Sequence, residues 1–475
     1  MASVFTRLGK TTVLLGLFVP ALAFAAPRHK KPEAPPVVVR IGALVDQSSS
    51  STSPDFKDAV ALAATQMNKA MARAHAPLRF EIVYGDTKSD PAQTLTEAKR
   101  LLGQEHVQAL VSDASIDTVK VNGLNYDPAS TLPKVPVTCF QCSSSFFHDP
   151  TVTDPDPVVQ AAERDAGHWL FRVFYNARFE AAVITRLAIE KAGANKAGFG
   201  SRLLIGVFAD AGHRSIAEAI PKVLPELYKG PAKVDLHYVT TTANIGPDWA
   251  SVVNGPEGTP NVLVVAMLPG HSTEAIRTYR AAGYKLPIVS NNSFRRDYIL
   301  KQIGPGANGL EGSSVLTADR SRNGADFMRA FHVAYHHRPE VTASGAYDSA
   351  ATLMLAAVVA SHGGGGAKAL TGADIRQGLS GIDASDGRTI MPTIAGFTLA
   401  AKLARAGRPI AYHGAYIAGG WDANGEMYPP LVRWVVEHGR FVEREMYACT
   451  PAQPLCPPVP MHKAARHAKT HAAAK

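Results

Sequence analysis

The sequence predicts an α/β protein of two lobes, each a parallel β-sheet flanked by helices, with a ligand cleft between the lobes. Three observations predict it. Strands rich in β-branched residues alternate with amphipathic helices. The alternation breaks off and restarts after residue 171. A chain of 475 residues also exceeds what one ordinary core organises. The 46% apolar and 19% charged fractions are those of a globular protein.

The first strand is Val37 to Val45, a nearly unbroken apolar run suited to burial on both faces of a parallel sheet. A helix follows. Ser53 caps its N–H groups, Pro54 suits its first position, and Asp55 and Asp58 favour its positive end. Phe56, Val60, Ala63, Ala64, Met67 and Met71 recur at helical spacing and give that helix one apolar face. Between strand and helix lies Asp46-Gln47-Ser48-Ser49-Ser50-Ser51-Thr52. It reads either as a ligand loop at the carboxyl end of a strand or as a solvated serine-rich linker.

Arg79 to Tyr84 is the second strand, and Pro91 opens a helix whose Ala92, Leu95, Ala98, Leu101 and Leu102 share a face. Val107 to Ser112 and Val135 to Thr138 are the third and fourth strands, followed by Asp113-Ala114-Ser115 and by Cys139 to Ser145. The second block has a helix at 181–192, a strand Leu203 to Ala209 and a helix Ser215 to Leu227. Val234 to Val239, Val262 to Met267 and Pro287 to Ser290 are further strands, with a helix His271 to Ala282. Beyond Gly312 the pattern predicts a strand 312–317, helices 323–336, 344–360 and 371–379, and short strands near 394–398, 412–418 and 431–437. These last strands are too few for a third sheet and are expected to complete the first two.

The N-terminus carries Arg7 and Lys10, an apolar run, and Ala23-Phe24-Ala25, which together read as a secretory signal with its cleavage box. The expected location of the mature chain is the periplasm. Net charge is +9, but residues 1–36 (Arg7, Lys10, Arg28, Lys30 and Lys31 against Glu33) and residues 461–475 (Lys463, Arg466, Lys469 and Lys475) contribute +4 each. About +1 is left for the body of the chain, which argues against nucleic acid as a partner.

Four cysteines form two close pairs. Cys449 and Cys456 are expected to join as a disulfide in an exported protein. Cys139 and Cys142 form a CxxC that reads as a local disulfide, a cleft-lining pair or a redox dithiol. A strand leads into the motif where thiol oxidoreductases begin a helix, which disfavours catalysis. With His148 the pair is short of a metal-ligand set. No motif for nucleophilic, phosphate-loop or zinc-protease catalysis stands in a supporting context. The chain is therefore read as a non-enzyme, with no cofactor and no metal.

IGALVDQSSSSTSPDFKDAVALAATQMNKA, FEIVYGDTKSDPAQTLTEAKRLL, FRVFYNARFEAA, NVLVVAMLPGHSTEAIRTYRAAGYKLPIVS and SGAYDSAATLMLAAV occur in that order. Over about residues 37–445 they resemble the successive blocks of the type I periplasmic binding proteins, in the branched-chain amino-acid and amide branch that serves ABC importers. The resemblance implies two Rossmann-like lobes joined by three crossovers that close on a solute. The N-terminal residues place a signal peptide at 1–25 and a linker at 26–36, and the first lobe is expected at 37–171 with 318–392. The second lobe takes 172–317 with 393–447, and 448–475 is a largely unstructured tail.

Carried over, the resemblance implies ligand contacts at Gln47, Ser48, Ser49 and Ser50, at Ser112, Asp113 and Ser115, and at Gln141, Cys142 and Ser143. Those groups suit a carboxylate held through hydroxyl and backbone donors. In the second lobe the matching positions are His213, Leu268, Pro269 and Asn292. Where amino-acid binders place an acid against the ligand ammonium, this chain has Asn292. An asparagine does not neutralise a buried ammonium, so a plain α-amino acid is a poor fit. Tyr347 reads either as a ligand contact or as packing under its loop, and His213 either as exposed or as lining the cleft.

The function expected is the solute-binding component of an ABC importer, a monomer that captures a small polar or carboxylated organic molecule and meets an inner-membrane permease. The alternatives are a periplasmic sensor or regulatory subunit of the same fold, and a thiol oxidoreductase using residues 139–142.

Overall fold

A computed structural model describes residues 35–461 except 49–52, 198, 201, 240, 242–244, 367–368 and 418–419. The expected signal segment, most of the linker, Ser49, Ser50 and the end of the tail lie outside the described residues.

The first block runs β1 (Val37–Val45), α1 (Pro54–Arg73), β2 (Leu78–Asp86), α2 (Pro91–Gly103), β3 (Ala109–Ala114), α3 (Ser115–Gly123), β4 (Val137–Gln141), α4 (Pro157–Arg164) and β5 (Leu170–Arg172). Its five strands form a parallel sheet in the order β2-β1-β3-β4-β5. Helix α1 begins as its sequence dictates, with Pro54 in the first turn and the Ser53 side chain accepting from the Asp55 N–H. Its Val60, Ala63, Met67 and Met71 are buried against the sheet.

The second block runs α5 (Ala177–Lys191), β6 (Leu203–Ala209), α6 (Arg214–Leu227), β7 (Ala232–Tyr238), α7 (Ile245–Val253), β8 (Val262–Ala266), α8 (Pro269–Ala281), β9 (Ile288–Ser290), α9 (Asp297–Ile303) and β10 (Glu311–Val315). Helices α10 (Arg322–Tyr335), α11 (Ala343–Ala360) and α12 (Gly372–Leu379) follow, then β11 (Arg388–Ile390), α13 (Ile394–Arg405), β12 (Ile410–Tyr412), β13 (Leu431–Glu437), β14 (Arg440–Tyr447) and β15 (Pro458–Val459). The second sheet has the order β15-β14-β13-β10-β9-β8-β6-β7. It is parallel from β7 to β10, and β13, β14 and β15 extend it antiparallel. Strands β11 and β12 form a small parallel pair of their own.

Each sheet is covered on both faces, as parallel sheets require. Helix α11 is long and apolar enough to cross a membrane by composition, but 89% of that stretch is buried and it packs in the core with α1. The chain leaves the first core near Arg172, returns after Val315, and leaves again between Met427 and Leu431.

Several expectations need correction. The strand expected near 412–418 is Ile410–Tyr412, and it pairs with β11 as a separate two-stranded sheet instead of completing either of the first two. Residues 394–405 are a helix rather than a strand near 394–398, and they pack on α1 in the first core rather than in the second lobe from 393. A short apolar run does not distinguish a strand from a helix by period, and here the Thr393 hydroxyl caps a helix by accepting from the Gly396 N–H. The tail is ordered as far as Met461, because Cys449 and Cys456 are buried in the second core and β15 pairs with β14.

Candidate functional site

In a parallel sheet the crevice lies outside the carboxyl ends of the strands. On the first lobe these ends carry Asp46 to Ser48, Asp113 to Ser115 and Gln141 to Ser144. The loop after β1 is tied to β2, because Asp86 accepts from the Gln47 N–H at 2.9 Å and from the Ser48 hydroxyl at 2.6 Å. The Gln47 amide oxygen in turn accepts from Lys57 Nζ.

Helix α3 starts at Ser115 with Ala114 at its cap position, so no side chain caps its N-terminus. The Ser115 Oγ accepts from the Ser144 N–H at 3.1 Å, which leaves its own O–H able to donate. Burial, reinforced by the charge of Asp117, pushes the Asp113 carboxyl up to about 7. Burial likewise pushes Asp117 up to about 6.

On the second lobe three adjacent strands, β6, β8 and β9, deliver a hydrogen-bonded relay. Asp210 Oδ1 meets His213 Nδ1 at 2.9 Å, and His213 Nε2 meets Ser293 Oγ at 2.9 Å. Asp210 Oδ2 accepts from the Leu268 N–H at 2.7 Å and meets His271 Nδ1 at 2.8 Å. Burial opposes ionisation of Asp210, but His213, the Leu268 N–H and His271 together overcome it and hold the carboxyl down at about 2.

The loop after β9 also carries Asn292, whose carbonyl oxygen accepts from the Ser314 hydroxyl at 2.6 Å. Its backbone N–H donates to the buried Glu180 at 2.7 Å. Burial pushes Glu180 up to about 7, against the donors Tyr175 and Asn292. The two faces meet where Ser144 Oγ lies 3.5 Å from Ser215 Oγ.

The structure therefore brings Gln47, Ser48, Asp113, Ser115, Gln141 and Ser143 to one rim, and His213, Leu268, Pro269 and Asn292 to the other. Gln141 Nε2 donates to Thr342 Oγ1, and the Ser143 carbonyl accepts from the Ala177 N–H. Ser112 is wholly buried and accepts from Thr118. Cys142 is also wholly buried, its sulfur at disulfide-bonding distance from that of Cys139. Tyr347 lies in the first core and donates to Gln66. Those three are not on the rim.

Sequence reasoning missed Asp210, Glu180, His271 and Ser293. Asp210 stands at a strand end three residues before His213, which is a usable signal. Nothing in the sequence joins Ser293 to it. Among the described residues no group of three or more His, Cys, Asp or Glu side chains is placed so that it could hold a metal ion.

A family model described as periplasmic binding protein matches residues 38–412. Among solved structures the fold is similar to a leucine-binding protein, LivK, from Thermotoga maritima, with a TM-score of 0.62 and 14% identity over 87% of this chain and 99% of that one. A solute-binding protein of an ABC transporter from Rhodopseudomonas palustris, in complex with 3,4-dihydroxybenzoic acid, gives 0.60 at 15% identity over 88% and 99%. LivJ from Streptococcus pneumoniae, in complex with isoleucine, gives 0.56 at 18% identity over 86% and 100%. No curated protein sequence matches this one.

Proposed function

We propose, since this chain belongs to the periplasmic binding protein family, that it captures a small carboxylated organic solute between its lobes and delivers it to an ABC permease of the inner membrane. The observation that carries the choice of solute is the unequal chemistry of the two rims. The first rim offers donors: the uncapped N-terminus of α3, the free hydroxyl hydrogen of Ser115, and an Asp113 carboxyl that keeps its proton up to about pH 7. These suit a carboxylate.

Among the described residues the second rim has no free acid for an ammonium group: the Asp210 oxygens accept from the Leu268 N–H and face His213 and His271. Position 292 is an asparagine, and both oxygens of Glu180 already accept hydrogen bonds, from Tyr175 and from Asn292. The structural relatives include a complex with isoleucine and one with a dihydroxybenzoic acid. A carboxylate without an ammonium is the class that fits this chain. The mature protein acts in the periplasm as a monomer, with the N-terminal 25 residues as its export signal and the crossings near 172, 315 and 427–431 as its hinge.

Native mass spectrometry of the protein isolated from its own periplasm tests this reading. The expected co-purifying solute is a small carboxylic acid. A solute with a free α-ammonium group would count against the proposal.

A further inference from the structure

Asp210, His213 and Ser293 stand in the order acid, imidazole, hydroxyl, with both links at 2.9 Å. The carboxylate is 3% exposed and anchored by the Leu268 N–H, so its position is fixed. An ionised carboxylate only accepts, so the His213 Nδ1 facing it must carry the hydrogen. In the neutral ring Nε2 then presents its lone pair to the Ser293 hydroxyl. This is the tautomer and orientation a general base needs in order to take a proton from serine. His213 is 8% exposed, whereas Ser293 is half-buried at the crevice edge, three residues beyond the end of β9. Asn291, in the same turn, is buried with neither its amide nitrogen nor its carbonyl oxygen partnered among the described residues.

We propose that Ser293 is a nucleophile activated by His213 and Asp210, and that the cleft hydrolyses small carboxylic esters. This goes beyond solute capture and does not depend on which solute is carried. Ser293 Oγ attacks the ester carbonyl carbon and passes its proton to His213 Nε2 as the new C–O bond forms. The Asn291 amide is the donor we assign to the oxyanion. Collapse breaks the bond to the alcohol oxygen, which leaves with the proton from Nε2. Water, deprotonated by the same nitrogen, then attacks the acyl group and releases the acid, restoring the serine hydroxyl. Ester and water become acid and alcohol, and no oxidant or cofactor is needed. Asp210 orients the ring and stabilises its charged form without itself taking the proton.

The experiment treats the mature chain with phenylmethylsulfonyl fluoride and with p-nitrophenyl acetate, following adduct mass, the labelled peptide and nitrophenol release. One adduct on Ser293 is expected, with nitrophenol release that depends on that residue. Ser293→Ala should abolish the adduct, and His213→Gln should slow acylation by about 100-fold or more. Ser293→Cys retains a nucleophile and should still be acylated, which separates lost chemistry from lost fold. An adduct elsewhere, or hydrolysis at equal rates in wild type and Ser293→Ala, would overturn the proposal.

Discussion

Glu180 Oε1 accepts the backbone N–H of Asn292 at 2.7 Å, so this buried acid of helix α5 is turned inward on the protein's own backbone. Its other oxygen accepts from Tyr175 at 2.6 Å. The loop that carries Asn292 is thereby fixed to the segment by which the chain enters the second lobe.

This burial has a pH signature. The Glu180 carboxyl rises from 4.5 to about 7 on folding, so between those values the native state binds more protons than the unfolded chain. Stability is then greatest below the lower value and falls as pH rises through the window, by about 3 kcal/mol from this group alone. Asp113, Asp117 and Asp348 are raised as well and act in the same sense. Asp210 acts oppositely, losing its contribution as pH falls from 3.8 towards about 2. Urea unfolding across pH 4 to 8 should show declining stability above about pH 5, and Glu180→Gln should flatten the decline. An unchanged profile in the variant would remove Glu180 as its source.

Asp348 accepts from the N–H groups of Ala415, Tyr416 and Ile417 and from the Tyr412 hydroxyl, all in the segment that precedes the last crossing. Asp348→Ala would leave three N–H donors unpaired in the interior and should cost at least about 3 kcal/mol. Gly414 packs against the same carboxylate with no room for a Cβ, so Gly414→Ala should also destabilise. Denaturant titration checks both variants.

Arg172 is fully buried and reaches Glu426 at 2.9 Å, and His148 Nδ1 meets the same glutamate oxygen at 2.6 Å. Removing one partner of a buried pair strands the other charge. Arg172→Met and Glu426→Gln should each cost about 3–5 kcal/mol, and the double variant less than the sum of the two. Strict additivity in that cycle would show that the pair does not interact.

Both cysteine pairs lie at disulfide-bonding distance and all four residues are buried. Thiol titration of the unfolded, unreduced protein should find no free sulfhydryl. Serine at 449 and 456 should cost about 2–3 kcal/mol by loop-closure entropy. Serine at 139 and 142 should leave solute-induced stabilisation intact, because Cys139 and Cys142 are wholly buried. Loss of that stabilisation would place the pair in the ligand site.

Much of the fold was legible because it rests on local patterns. Strand β1 and the cap and apolar face of α1 stand where the β-branched run and the Ser53-Pro54 signal put them. Helix α13 and strand β15 were not legible. The first is a short apolar segment whose period is ambiguous, and the second pairs only because a distant strand edge is free to receive it. The rims of the site could be read from loops at strand ends, but their wiring could not. His213 and Ser293 are 80 residues apart, and a side chain's direction is set by packing that no local pattern records. Tyr347, which reads in sequence either as a contact or as packing under its loop, lies in the core, and packing again is what decides it.

The claim that the cleft takes a carboxylate without an ammonium is tested most directly by titration calorimetry on the mature chain, freed of endogenous solute. The panel pairs aliphatic and aromatic monocarboxylates with the α-amino acids of the same skeleton, 4-methylpentanoate beside leucine among them. In every pair that binds, the plain acid should be tighter by about tenfold or more, a difference of about 1.4 kcal/mol. A pair in which the amino acid binds more tightly, or a panel in which no carboxylate binds, would contradict the account.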